Sequence, residues 1–312
     1  MYAFGIMQRV VDISTDGLHL ATQRGFLTVS ASGEEKGRVA LDDIGALIVH
    51  AHGTTWSNSV VVRLSERAVP MVICGSNHAP IACVWPLAGH HAQGARMRAQ
   101  LSANRPLAKQ LWRLMVSGKI RMQGEALRFA GREGGAFEGL ARKVRSGDPE
   151  NVEAQAARRY WKIMFGNEFS RDRQAEGINA LLNYGYTVLR AVASRAICAS
   201  GLHPTIGIFH ANRANAFALA DDVMEPFRPM VDLLVLDLLA SGEDSVTPEA
   251  KVRLARVGSA DLVMPDETVS PLDVAVQKLV HSLSTSFETG KPVLDLPVRP
   301  AAVVAVNADI DA

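Results

Sequence analysis

The feature that most constrains this chain is a change of hydrophobic period near Pro86. Before it, apolar residues come in short alternating or compact runs. After it they recur at steps of three and four over long stretches. A period near two belongs to strands and one near 3.6 to helices. The expected fold class is α+β, with a β-rich N-terminal part and a larger all-α part. At 312 residues the chain also exceeds what one hydrophobic core usually organises.

In the first part, residues 18–22 and 26–30 are strand-like on either side of Gln23-Arg24-Gly25, a hairpin turn. Residues 31–37 form a second polar turn, and 45–50 and 69–74 are apolar runs of strand length. Residues 57–67 have helical spacing, with Ser57 available as a cap. Residues 80–85 complete the strands. Gly89-His90-His91-Ala92-Gln93-Gly94 reads as a linker, followed by helices over 105–119, 150–165, 177–199 and 215–239. Pro226 should bend or end the last of these. From Gly290 the chain turns Pro-, Ala- and Val-rich without period, a strapped-on or disordered tail. The expected boundaries are 1–88, a linker at 89–95, a helical domain at 96–290 and a tail at 291–312.

Net charge is +1, but it is unevenly spread. Residues 96–145 carry twelve Lys/Arg against three acids, whereas 221–312 carry seven against sixteen. A basic stretch beside an acidic, cation-collecting one suits a protein that binds phosphates, although either can be a solvated helix face. Three scattered cysteines form no disulfide framework and no CxxC zinc pair. The start, Met1 to Ile6, lacks the pattern of a signal peptide, and no apolar run approaches a bilayer span of about 20 residues. A cytoplasmic protein with no membrane partner is expected.

The candidate chemistry sits in the second part. Glu153 shares a helical stripe with Ala157, Tyr160 and Met164, and so points toward a core face. Taken alone, a glutamate on a helix is solvated surface. His210 closes the apolar run Ile206-Gly207-Ile208-Phe209, with His203 as an alternative. Asp221, Asp222 and Glu225 place three carboxylates within five residues, a repulsion that a cation would offset. Arg228 could relieve it as an ordinary ion pair. Carboxylate and imidazole donors without thiolate favour Mg²⁺ or Mn²⁺. No phosphate loop, dinucleotide fingerprint or nucleophile elbow competes.

In order and spacing, four segments resemble the CRISPR-associated adaptation integrases, the Cas1 family. They are Asn151-Val152-Glu153 through Trp161, Asn183-Tyr184-Gly185-Tyr186, Gly201 through His210, and Ala220-Asp221-Asp222-Val223-Met224-Glu225-Pro226-Phe227-Arg228-Pro229. The spacing from Asn212 to Asn215 resembles the type II branch.

The resemblance implies a sandwich-like N-terminal domain that forms a homodimer, and a catalytic metal site of Glu153, His210 and Glu225 assisted by Asp222. It leaves His203 a structural residue. It implies a metal-dependent endonuclease and integrase that joins the 3′-hydroxyl ends of a short spacer-precursor duplex, carrying 3′ overhangs, to CRISPR repeat DNA. A heterohexamer with the small Cas2 protein is implied, and the type II effector nuclease is a possible further partner. Arg96, Arg98, Arg113, Arg121, Arg142, Arg145, Arg158 and Arg159 are the expected phosphate contacts. The competing readings are a nuclease for branched or single-stranded DNA without integration, and a non-catalytic DNA-binding scaffold.

Overall fold

The computed structural model describes residues 9–75, 80–86, 90–209 and 215–302. The N-terminal part holds two four-stranded sheets, ordered β4-β3-β2-β6 and β1-β5-β7-β8. In the first, β2 (Leu18–Gln23) and β3 (Phe26–Ala31) pair antiparallel through Arg24 and Gly25, both at positive φ. That backbone matches the right-handed strand twist, which is why so short a loop closes the hairpin. Ser32 and Gly33 repeat the device, and β4 (Glu34–Ala40) follows at once. The polar turn expected over 31–37 is therefore shorter. Its charged residues form an edge strand, where Lys36–Glu34 and Arg38–Glu35 pairs discourage pairing with another chain. The two-residue strand β6 (Thr55–Trp56) runs parallel to β2 on the opposite edge.

The second sheet contains β1 (Arg9–Ile13), β5 (Ile44–Val49), β7 (Met71–Cys74) and β8 (Pro80–Val84). All six residues of β5 are buried, as its unbroken apolar run demands. From Ala46 to Val49, successive side chains go to different cores. Ile44, Leu47, Val49 and Met71 join Leu20, Leu27 and α1 (Asn58–Ser65). Ala46, Ile48, Val72 and Cys74 join the helical core. One sheet thus belongs to both halves. Tyr184 of the helical half reinforces the junction by donating its O–H to Asp12 of β1 at 2.6 Å.

The helical part comprises α2 (Gln93–Ser102), α3 (Arg105–Phe129), α4 (Ala136–Lys143), α5 (Val152–Phe165), α6 (Ile178–Ala199), α7 (Ala218–Met224), α8 (Arg228–Ala240), α9 (Pro248–Ala255) and α10 (Leu272–Thr289). The first of these starts inside the expected linker. Asn104 caps α3 by accepting the Leu107 N–H at 2.9 Å, and this 25-residue helix runs through the middle of the core. Trp112 on α3 and Tyr160 on α5 are fully buried, each contributing about 2–3 kcal/mol by area. Gly185 lets α6 approach α8, because a Cβ there would overlap Val231.

A three-stranded sheet of β9 (Asp261–Val263), β10 (Val269–Pro271) and β11 (Arg299–Ala302) lies within this half. The chain after Gly290 reaches it as an ordered strap. Ser282 and Ser286 of α10 bind the Asp295 and Val293 backbone, and Leu296 packs against Gly118 of α3. Among the described residues no helix is long and apolar enough to cross a membrane.

Candidate metal centre

Glu153 and Glu225, 72 residues apart, meet beside α3. Their mountings differ. Glu153 stands in the first turn of α5, whose free N–H groups are capped by side chains from the preceding turn. Asp148 accepts from Val152 at 2.9 Å and from Glu153 at 3.0 Å, and Asn151 accepts from Ala154 at 3.3 Å. Asn151 does so from a left-handed backbone with φ 51°, a conformation asparagine tolerates well. Further along the same stripe, Tyr160 and Met164 are fully buried. The inward stripe expected from the spacing is present.

Glu225 stands where the acidic helix breaks. The segment expected as one helix over 215–239 is α7, a 3₁₀ turn at Glu225–Phe227, and α8. Pro226 supplies no N–H and forces the change, as its position foretold. The Glu225 side chain is turned inward and is 4% exposed.

Both carboxylates converge on one cation, Lys119 of α3. Its Nζ is 2.5 Å from Glu153 Oε1 and 2.6 Å from Glu225 Oε2. Burial alone would push the Lys119 pKa down, but Glu225 and then Glu153 outweigh it and leave the pKa raised. The remaining Glu225 oxygen, Oε1, pairs with Arg228 Nε at 2.9 Å. Arg228 also lies over the Tyr186 ring at 4.7 Å, so it is clamped from two sides. The sequence held one signal for Lys119. It falls seven residues after Trp112, on the stripe of Met115 and Val116 that forms the buried face of α3.

Asp222 is fully buried. Its Oδ2 accepts the N–H groups of Ile208 at 2.5 Å and Phe209 at 3.1 Å. Phe209 in turn stacks on Trp112, with centroids 4.3 Å apart and planes 2° from parallel. The chain leading into His210 is thereby fixed against the helix that bears Lys119. His210 and Asn212 lie outside the described residues. Asp221 is held by Arg190 at 2.7 Å and Asn215 at 2.8 Å. Gln100 grips the preceding loop, bonding His203 N, His203 O and Ile206 O, and burial lowers the His203 pKa.

Beyond Arg228 lies a polar network. Tyr160 and Tyr186 both donate O–H to Asp232, and burial raises the Asp232 pKa to about 6 despite those bonds. A cavity of about 900 Å³ opens over this network. Arg171, Arg173, Arg190, Arg228 and Lys251 line it, together with Tyr184 and Tyr186. These bases fall outside the basic stretch singled out in the sequence, because four separate elements contribute them.

The expected phosphate contacts divide. Arg96 bonds Glu288 at 3.0 Å and Ser200 O at 2.9 Å, with a side chain only 14% exposed. Arg121 and Arg142 share Glu138, and Arg145 pairs with Glu150. Arg98, Arg158 and Arg159 are exposed and Arg113 half-buried, and none has an ion pair among the described residues.

The donor set suits a divalent cation. Two carboxylates from different elements already enclose a single positive charge, each oxygen within 2.6 Å of it. Among the described residues no three His, Cys, Asp or Glu side chains cluster to hold a metal.

Residues 11–263 match the family model described as CRISPR associated protein Cas1. The CRISPR-associated endonuclease Cas1 of Neisseria meningitidis serogroup C (strain 8013) is 34% identical over 279 residues, 88% of this chain and 90% of that protein. Among solved structures, a casposase bound to integration product superposes with a TM-score of 0.77 at 20% identity, covering 96% of both chains. A Cas6-RT-Cas1–Cas2 complex gives 0.74 at 18% identity, covering 95% of this chain and 36% of the other.

Proposed function

The chain belongs to the Cas1 family of CRISPR-associated proteins, and from that premise we propose that it is a metal-dependent DNA integrase. It joins the 3′-hydroxyl ends of a short duplex with 3′ overhangs to the repeat of a CRISPR array. The observation that carries this reading is the convergence of Glu153 and Glu225 on one buried cation position. The fold shared with a casposase whose structure holds an integration product favours joining over simple cutting.

Glu153, Glu225 and His210 would hold one Mg²⁺ or Mn²⁺. Once bound, it supplies Lewis-acid polarisation of the phosphodiester and acidifies the attacking hydroxyl. The protein's own groups do the rest. Arg228 fixes the Glu225 carboxylate, while Asp222 fixes the backbone before His210. Arg171, Arg173, Arg190 and Lys251 give the cavity the charge to hold a strand by its phosphates. Arg98, Arg113, Arg158 and Arg159 extend that hold outside it. The reaction forms one phosphorus–oxygen bond to the incoming 3′-oxygen and breaks one to the repeat strand, so no nucleotide hydrolysis is needed.

The same reading makes the N-terminal sheets the dimerisation unit and Cas2 the partner between two dimers; a structural neighbour titled a Cas6-RT-Cas1–Cas2 complex supports Cas2 as a partner. The type II effector nuclease is a further partner, in keeping with the type II pattern of the sequence. The enzyme works in the prokaryotic cytoplasm with the DNA it modifies.

A duplex ending in a 3′-deoxynucleotide tests the reaction. With Mn²⁺ and Cas2, the normal duplex should give a branched, joined product with array DNA, and the 3′-deoxy duplex none. Array shortened equally with both duplexes, and never joined, would mean that the protein is a nuclease.

A further inference from the structure

We propose that Lys119 is the resident cation of this centre, holding the position of the divalent metal until the metal displaces it. The proposal rests on the metal-site reading above and adds a group to it that neither family likeness nor sequence pattern singled out. Three observations support it.

First, the ammonium lies between the two carboxylates proposed as metal donors. Nζ lies 2.5 Å from Glu153 and 2.6 Å from Glu225, and the Lys119 side chain is 12% exposed. Two carboxylates facing one another in so dry a place repel strongly unless a cation separates them. Lys119 is that cation, and a metal held by Glu153 and Glu225 would compete with it for the same carboxylates.

Second, the two bases at the site differ in mobility. Arg228 bonds Glu225 Oε1, leaving Oε2 to Lys119, and its guanidinium is pinned over Tyr186. Lysine carries a compact charge on four rotatable methylenes, so it can withdraw without moving its helix. The helix itself is fixed: Gly118 packs on Leu296 of the strap, and Trp112 stacks on Phe209.

Third, the arrangement solves a folding problem. The carboxylates are brought together from α5 and the α7–α8 turn, and α5 and α7 both pack into the same hydrophobic core. A built-in counterion lets the site assemble in its working geometry, at the cost of competing with the metal afterwards.

Lys119→Met keeps the length of the side chain and removes its charge. Mn²⁺ titrated by calorimetry should bind this variant at least tenfold more tightly than wild type. Mn²⁺ should also raise its melting temperature more, starting from a lower value in EDTA. Equal or weaker binding by folded Lys119→Met would overturn the proposal while leaving the metal site standing. Absence of Mn²⁺ binding by folded wild type would instead remove the metal reading on which it rests. Should Lys119→Met not fold, wild type alone decides. Acetic anhydride with mass spectrometry should label Lys119 little in EDTA and several-fold more with Mn²⁺. Equal labelling in the two conditions would sink the displacement.

Discussion

Asp222 Oδ2 accepts the backbone N–H of Ile208 at 2.5 Å, and so ties the helix that ends on Glu225 to the loop that enters His210. One buried carboxylate therefore holds the helix that precedes Glu225 to the backbone of Ile208 and Phe209. Asp222→Ala should leave DNA affinity within about twofold while reducing strand joining about 10- to 100-fold, the usual effect of removing a group that orients a metal ligand. It should also cost about 2 kcal/mol of stability, because two buried N–H groups lose a charged acceptor. Asp222→Asn retains a carbonyl acceptor and should recover part of both. Joining rates and urea unfolding of the three proteins decide this.

Asp232 imposes a pH dependence. Its carboxyl ordinarily titrates near 3.8, and burial raises it to about 6 in the folded protein. Folding therefore takes up a proton between those values. The stabilising contribution is complete below about pH 4 and is lost as pH rises to about 6, amounting to about 3 kcal/mol. Asp232→Asn has no such proton to bind. The stability of wild type relative to this variant should fall by that amount from pH 4 to pH 7, measured by denaturant unfolding at each pH. A constant difference would show that Asp232 titrates normally.

The arginines should separate by salt dependence. Arg158 and Arg159 are exposed without ion pairs among the described residues, whereas Arg121 is occupied by Glu138. Replacing both Arg158 and Arg159 with alanine should flatten the slope of log affinity against log salt by about two, if each neutralises a phosphate. Arg121→Ala should change it little. Fluorescence anisotropy of a labelled duplex across a salt series reads both.

The C-terminal strap is a stabilising element. Leu296 is half-buried against Gly118, next to Lys119. Leu296→Ala should cost about 1–2 kcal/mol, the lower range for a truncated leucine that is not fully enclosed. Its thermal unfolding in EDTA would reveal that loss.

The sequence disclosed the parts of this architecture that rest on local pattern. The hairpin at Arg24-Gly25, the long helices, the inward stripe of Glu153 and the break at Pro226 all follow from periodicity or backbone chemistry. Strands β9, β10 and β11 escaped notice because three or four residues show no period, and they are defined by pairing between distant segments. Lys119 escaped because its meaning depends on carboxylates 34 and 106 positions away. The Arg96–Glu288 pair was illegible for the same reason, its partners lying 192 positions apart. The pairing of Glu153 with Glu225 came from resemblance rather than spacing, since no local rule joins an α5 residue to the α7–α8 turn.

The central claim is that Glu153 and Glu225 together hold a metal that serves strand joining. A single-turnover assay with a labelled 3′-hydroxyl duplex, array DNA, Cas2 and saturating Mn²⁺ tests it most directly, comparing wild type with Glu225→Gln. The account predicts branched product from wild type and at least about 100-fold less from the variant, ΔΔG‡ of about 2.7 kcal/mol, with duplex affinity unchanged. Joining by Glu225→Gln at a rate near that of wild type would contradict it.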